Sequence, residues 1–279
     1  MVDDLTLKGL IALQVHGVKE RAGGEQIHWK NIRIQTGQAM KPSPLDKTTP
    51  VANYMINTLS PQEKAQGVTL LFNGKDLSGW RSANQQTPPA QGWKVENGVL
   101  QVLPEDKASG LRWGDLLTVK NFTSFELTFD FKLTEGANSG VKYFVTTAAG
   151  SKSGLGLENQ VLDDERHPDA KKGIDGNRTL SGLYDLIAPV KPEPRHQSKI
   201  GEWNHGKNVV YADNRAEHWL NGFKVVSYIR GCEDFQKLVA GSKYARSAGF
   251  AMAESGPLLL QAHGDAVYFT NIKIREIKP

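Results

Sequence analysis

The stretch Phe125-Glu126-Leu127-Thr128-Phe129-Asp130-Phe131 puts four large apolar side chains on alternate positions, with two carboxylates and a threonine between them. Successive side chains of a strand point to opposite faces, so this spacing buries one face and wets the other. A helix of the same residues would scatter the aromatic rings around its circumference. The chain is therefore expected to build antiparallel sheet with one face packed on a core. Further extended candidates are Val68–Phe72, Trp93–Val95, Val99–Val102, Val141–Val145, Leu157–Leu162, Leu183–Leu186, Lys207–Ala212, Ala216–Leu220, Lys224–Tyr228, Gly249–Ala253, Leu258–His263 and Val267–Ile277. Asn73-Gly74, Asn97-Gly98, Asp213-Asn214 and Asn221-Gly222 punctuate them with turn chemistry. About a dozen short strands without βαβ alternation predict an all-β, jelly-roll β-sandwich. One short N-terminal helix is expected at Ser60-Pro61-Gln62-Glu63, where Ser caps, Pro sits at the first helical position and Glu closes a capping box.

Two segments repeat. Leu13-Gln14-Val15-His16-Gly17 followed by Trp29–Ile34 resembles Leu260-Gln261-Ala262-His263-Gly264 followed by Phe269–Ile274. Each copy reads as two strands joined by a turn. The expected organisation is an orphan β-hairpin over 1–36, a linker over 37–58 and the sandwich over 59–279. The hairpin would correspond to the closing hairpin of a sister domain, and its apolar strand faces predict docking against such a domain, the sandwich or a second copy in a homodimer.

The 279 residues carry a net charge of +4, with no Lys/Arg run interleaved with aromatics, which argues against nucleic acid as a partner. No apolar run approaches the roughly 20 residues of a membrane helix. A single cysteine, Cys232, excludes an internal disulfide and a thiolate zinc site. The start of the chain shows no signal-peptide pattern.

Polar residues recur between apolar neighbours on several strands. Lys142 opposes Val141, Tyr143 and Val145; Glu158 and Gln160 oppose Leu157 and Val161; Gln261 and His263 oppose Leu260 and Ala262; Glu217 and Trp219 oppose Ala216, His218 and Leu220. Any one of these sets could be a solvated strand face. Together, carboxamides beside ionisable groups suit a sugar, whose vicinal hydroxyls take forked hydrogen bonds while Trp219 or Tyr184 stacks on the ring. The long acidic stretch 161–171 offers Asp163, Asp164, Glu165 and His167, which could hold a divalent cation such as calcium or manganese, or simply form a solvated loop.

Leu71–Trp80, Asn138-Ser139-Gly140-Val141-Lys142, Glu158–Asp164, Glu217–Gly222 and Gln261–Gly264 resemble, in order, the 3-keto-disaccharide hydrolase family. The resemblance implies a concanavalin A-like jelly roll, a periplasmic or secreted location, and cleavage of glycosides oxidised at C3. A C3 ketone acidifies the C2 proton, so a base can remove it, the C1 substituent leaves, and water adds back. The implied roles are His263 or Glu158 as base, Lys142 or a cation at the enolate oxygen, and Glu158 or Asp185 as acid. Gln160, Gln261, Glu217 and Trp219 would orient the sugar. The alternatives are an ordinary glycosidase using Glu158 with Glu217 as paired carboxylates, and a non-catalytic carbohydrate-binding module.

Overall fold

The computed structural model describes residues 53, 55–106, 108–191 and 197–278, all within one compact unit, Asn53–Pro279. The repeated hairpin at 1–36 and most of the expected linker lie outside the described residues. At the linker's end, Asn57 is bonded into the sandwich: its amide donates to Asn271 Oδ1, and its side chain donates to the Gly98 carbonyl.

Among the described residues, thirteen strands form two antiparallel sheets. The larger contains β1 (Thr69–Leu70), β3 (Trp93–Glu96), β4 (Val99–Val102), β6 (Phe125–Leu133), β9 (Trp203–Val210), β10 (Arg215–Leu220), β11 (Phe223–Ile229) and β13 (Val267–Glu276). Its order is β11-β10-β9-β6-β13-β4-β3, with β1 also paired to β13. The smaller contains β2 (Trp80–Arg81), β5 (Leu116–Phe122), β7 (Asn138–Thr146), β8 (Leu155–Leu162) and β12 (Gly256–Leu260), in the order β2-β5-β12-β7-β8. This is an all-β, concanavalin A-like jelly-roll sandwich. Strand β6 buries every second residue along its length. Phe125, Leu127, Phe129 and Phe131 meet Val141, Tyr143, Leu157 and Val161 from the smaller sheet in one core.

Two polar links cross that core. Asn159 donates to Asn208 Oδ1 at 2.5 Å. The Tyr143 hydroxyl lies 2.7 Å from both His218 Nε2 and the Tyr228 hydroxyl. His218 is fully buried, and burial pushes its pKa down to about 4, so the ring is neutral here.

The short helix forms as expected: α1 (Pro61–Ala65) is capped by Ser60 and Glu63 reciprocally. A second helix, α2 (Glu233–Ala240), follows Cys232, whose Sγ accepts from the Phe235 amide. Phe235 is its buried anchor, stacked on Tyr228 with ring centroids 5.7 Å apart. Two strand expectations need correction, and one strand is unexpected. Leu183–Leu186 is a turn, because Asp185 adopts φ 62° and the amides of Leu186 and Ile187 fold back onto the Leu183 carbonyl. Gly249–Ala253 is also a turn, with Ala251 at φ 60° and Phe250 stacked on Tyr244. Leu116–Phe122 is a strand that alternation does not reveal. No helix among the described residues is long and apolar enough to cross a membrane.

Candidate active site

The outward face of the smaller sheet gathers the chemistry. Register pairs Lys142 with Leu259 on one side and Glu158 on the other. One row along, Gly140 pairs with Gln160, and the Gln261 amide donates to the Gly140 carbonyl. Side chains two apart on a strand share a face, so Lys142, Glu158, Gln160 and Gln261 stand on one surface. Leu117, Leu259, Val145 and Ala83 form a small apolar floor beside them.

Lys142 Nζ lies 3.6 Å from Glu158 Oε2 and 3.4 Å from the Gly154 carbonyl, and both side chains are buried. Glu158 lies flat over Gly140, where a Cβ would meet Oε1 at 2.0 Å. Gln160 is 1% exposed, yet neither amide atom has a hydrogen-bond partner among the described residues. A buried carboxamide without partners costs free energy, which fits a group kept for a polar ligand.

Two further residues join this group that strand alternation does not disclose. Asp115, one residue before β5, accepts from the Ala262 amide at 3.0 Å and is almost fully buried. Burial pushes its carboxyl up to about 6, against the pull of Lys142 and with the push of Glu158. Lys243 sits with Nζ 4.0 Å from the Tyr184 ring centroid and 5.0 Å from that of Tyr244. Burial lowers the pKa of Lys243, with Glu158 opposing and Lys142 reinforcing the shift. Lys142, Gly154, Gly156, Lys243 and Tyr244 line a cleft of about 470 Å³.

Tyr184 lies at the edge of the site: its amide donates to the Glu158 carbonyl and its hydroxyl to Asp169 Oδ2 at 2.7 Å. Burial, with Asp169 beside it, raises the pKa of this phenol. Asp185 is placed nearby, but both its oxygens are engaged, by Arg178 Nε at 2.6 Å and by the Lys243 amide at 2.7 Å. It anchors the loop that carries Tyr184 to the segment that carries Lys243, which corrects its expected role as acid.

Glu217 and Trp219 also need correction. Strand β10 belongs to the larger sheet and turns His218 inward to Tyr143, so its neighbours face outward on the opposite layer from Lys142 and Glu158. There Glu217 accepts from Trp219 Nε1 at 2.9 Å and pairs with Lys224 at 3.2 Å, while Lys207 covers the indole.

The acidic loop does not converge as a ligand set. Asp163 is buried and accepts from the amides of Gly136, Glu165 and Arg166 and from the Arg166 guanidinium. Burial raises its pKa, but these donors outweigh it and hold the carboxyl below its usual range. Asp164 accepts from the Leu180 amide, and Glu165 is exposed beside Arg166. His167 instead faces His263, with ring centroids 6.0 Å apart. Burial lowers its pKa, with Asp265 opposing and His263 reinforcing. His263 is exposed, beyond Gln261 on the connection from β12 to β13.

A family model for 3-keto-alpha-glucoside-1,2-lyase-like domains matches residues 67–275. A 3-keto-disaccharide hydrolase of Bacteroides thetaiotaomicron is 31% identical over 233 residues, 76% of this chain and 79% of its own length. A crystal structure from Parabacteroides distasonis, described as a candidate glycosyl hydrolase, superposes with TM-score 0.69 at 33% identity, covering 80% of this chain and all of that one. Another from the same organism, described alike, gives TM-score 0.54 at 26% identity, covering 75% of this chain and 99% of that one.

Proposed function

The chain belongs to the family of 3-keto-alpha-glucoside-1,2-lyase-like domains, and from that premise we propose that it cleaves glycosides bearing a ketone at C3 by elimination and hydration. The observation that carries this reading is the buried Lys142–Glu158 pair beside a carboxyl, Asp115, whose pKa stands at about 6. Elimination needs a base, a stabiliser for the enolate oxygen and a proton donor for the leaving group, all held in place.

Glu158 removes the C2 proton, and the C2–H electrons move into the enolate at C3. Lys142 faces the developing oxyanion. The enolate then re-forms the ketone and a C1=C2 double bond as the C1–O bond breaks, and Asp115 supplies the proton to the departing oxygen. Water adds across the double bond: its oxygen bonds to C1, its released proton returns to Asp115, and Glu158 gives its proton to C2. Gln160, with both amide atoms lacking partners, and Gln261 take the ring hydroxyls, while Tyr184 lines the edge. The same reading puts the protein in the periplasm or outside the cell, which cell fractionation tests.

The deciding assay offers p-nitrophenyl glucoside and its 3-keto form. Release from the keto form alone, with a 1,2-unsaturated 3-ketosugar trapped early, supports elimination. Release from the ordinary glucoside supports paired-carboxylate hydrolysis instead. Sugar binding with no release from either makes the domain a carbohydrate-binding module.

A further inference from the structure

We propose that His167, His263 and Asp265 form a binding site for a divalent transition-metal ion. One ligand atom from each of the three lies within 4.8 Å of the others. The residues come from separate places in the chain: His167 caps the 3-10 turn Pro168–Lys171 after β8, and His263 and Asp265 lie between β12 and β13. Their meeting is a product of the fold, not of local sequence.

A second observation points the same way. Asp265 Oδ2 accepts from the Asn138 amide at 3.1 Å, which orients its carboxylate. Asn138 itself is 3% exposed, and its side-chain Oδ1 has no hydrogen-bond partner among the described residues. Strand parity puts that side chain on the face it shares with Gly140 and Lys142. An orphaned carbonyl oxygen on the residue whose amide holds the Asp265 carboxylate is a donor that a cation would relieve.

The donor set selects the ion. Two imidazoles and one carboxylate suit zinc, manganese, iron or cobalt and leave coordination positions open, whereas calcium prefers a cage of oxygens. His167 Nδ1 accepts from the Asp169 amide at 3.1 Å. Ligation through Nε2 therefore requires the ring proton to move to Nδ1 and that contact to open. Ligation through Nδ1 replaces the contact outright. Either way, loading changes the environment of the Asp169 amide. Asn138 is two residues from Gly140 on β7, so the ion would lie about 7 Å along the strand from the Gln160–Gln261 row. Resting on the elimination reading, its open positions would take a sugar oxygen on the side of the ring away from the ketone that Lys142 faces.

The full chain, stripped with chelator, is titrated calorimetrically with zinc and separately with manganese. One saturable equivalent is expected, with affinity falling at least about tenfold in each of His167→Ala, His263→Ala and Asp265→Asn, and unchanged in Glu165→Ala. The Asp169 amide resonance should shift on loading. No saturable site, or wild-type affinity retained in all three variants, overturns the proposal. If the variants fail to fold, X-ray absorption on the cobalt-loaded wild type decides: imidazole nitrogen scattering supports the site, and oxygen-only ligation overturns it. Binding without release from the keto-glycoside leaves the site standing and removes the elimination reading; release from a protein that binds no metal does the reverse.

Discussion

Gly140 lies directly beneath the carboxylate of Glu158, so close that a Cβ would come within 2.0 Å of Oε1 and 2.8 Å of the carboxyl carbon. The glycine is required here by approach rather than by backbone angle, since its φ is ordinary. Gly140→Ala must lift Glu158 off the strand while leaving the core side of β7, with Val141 and Tyr143, untouched. Overpacking of this kind costs about 1–3 kcal/mol, and displacing a reacting group by about 1 Å costs about 100-fold in rate. The expected outcome is a folded protein with a modestly lowered Tm and kcat on the 3-keto glycoside reduced about 100-fold. Wild-type turnover in a folded Gly140→Ala variant would mean that the position of Glu158 does not matter to the chemistry.

Lys142 and Glu158 are tied energetically as well. Removing one member of a buried pair strands the other charge, at about 3–5 kcal/mol, while replacing both with apolar groups is far milder. Lys142→Met leaves Glu158 and Asp115 without the buried cation that acts on both, so urea denaturation should show a loss in that range. The double variant Lys142→Met/Glu158→Leu should recover most of it, while remaining inactive. Additive losses in the double variant would show that the two side chains are not coupled.

Much of this was open to strand parity alone. Lys142, Glu158, Gln160 and Gln261 alternate against strongly apolar neighbours. Register brings the first three to one face, and Gln261 follows just past β12 through its amide bond to Gly140. Parity cannot say which sheet a strand joins. Glu217 and Trp219 have the alternation of site residues, yet β10 belongs to the other layer. Asp115 escaped because β5 buries its first three residues in succession and exposes the next three, so no alternation marks it. Lys243 lies in an irregular segment, its amide anchored on Asp185 near Tyr184, a contact no local pattern encodes. The grouping of His167 with Asp265 depends on two loops meeting, which no local pattern encodes.

Asp115 gives the site a pH signature. Its carboxyl is raised from an ordinary 3.8 to about 6, chiefly by burial. Between those values the folded chain binds more protons than the unfolded chain, so this residue's contribution to stability is complete below about pH 4. It is lost as pH rises through about 6, and the difference is about 3 kcal/mol. Asp115→Asn should therefore be more stable than wild type at pH 8 and should lose that advantage by pH 4. If Asp115 is the donor to the leaving oxygen, wild-type kcat falls as pH rises above about 6, and the variant is slow at every pH. A wild-type rate in Asp115→Asn would remove it from the mechanism.

His218 supplies the opposing slope. Its folded pKa is depressed from 6.5 to about 4 by burial, so the unfolded chain binds the extra proton between those values. Stability from this residue is complete above pH 6.5 and falls by about 3 kcal/mol as pH drops to about 4. Asp115 and His218 therefore nearly cancel over the same window in the wild type. Each single variant should unmask the other residue. Asp115→Asn should lose stability steeply from pH 6.5 to 4, because only the His218 slope remains. His218→Gln keeps a polar group toward the Tyr143 hydroxyl and removes the titration, so it should gain stability over the same acidification. Carboxylates held below their usual range, such as Asp163 and Asp169, add the same acid slope to every variant and drop out of differences from wild type. Denaturant midpoints at half-unit pH steps would measure both slopes, and parallel profiles for the two variants would refute the opposed titrations.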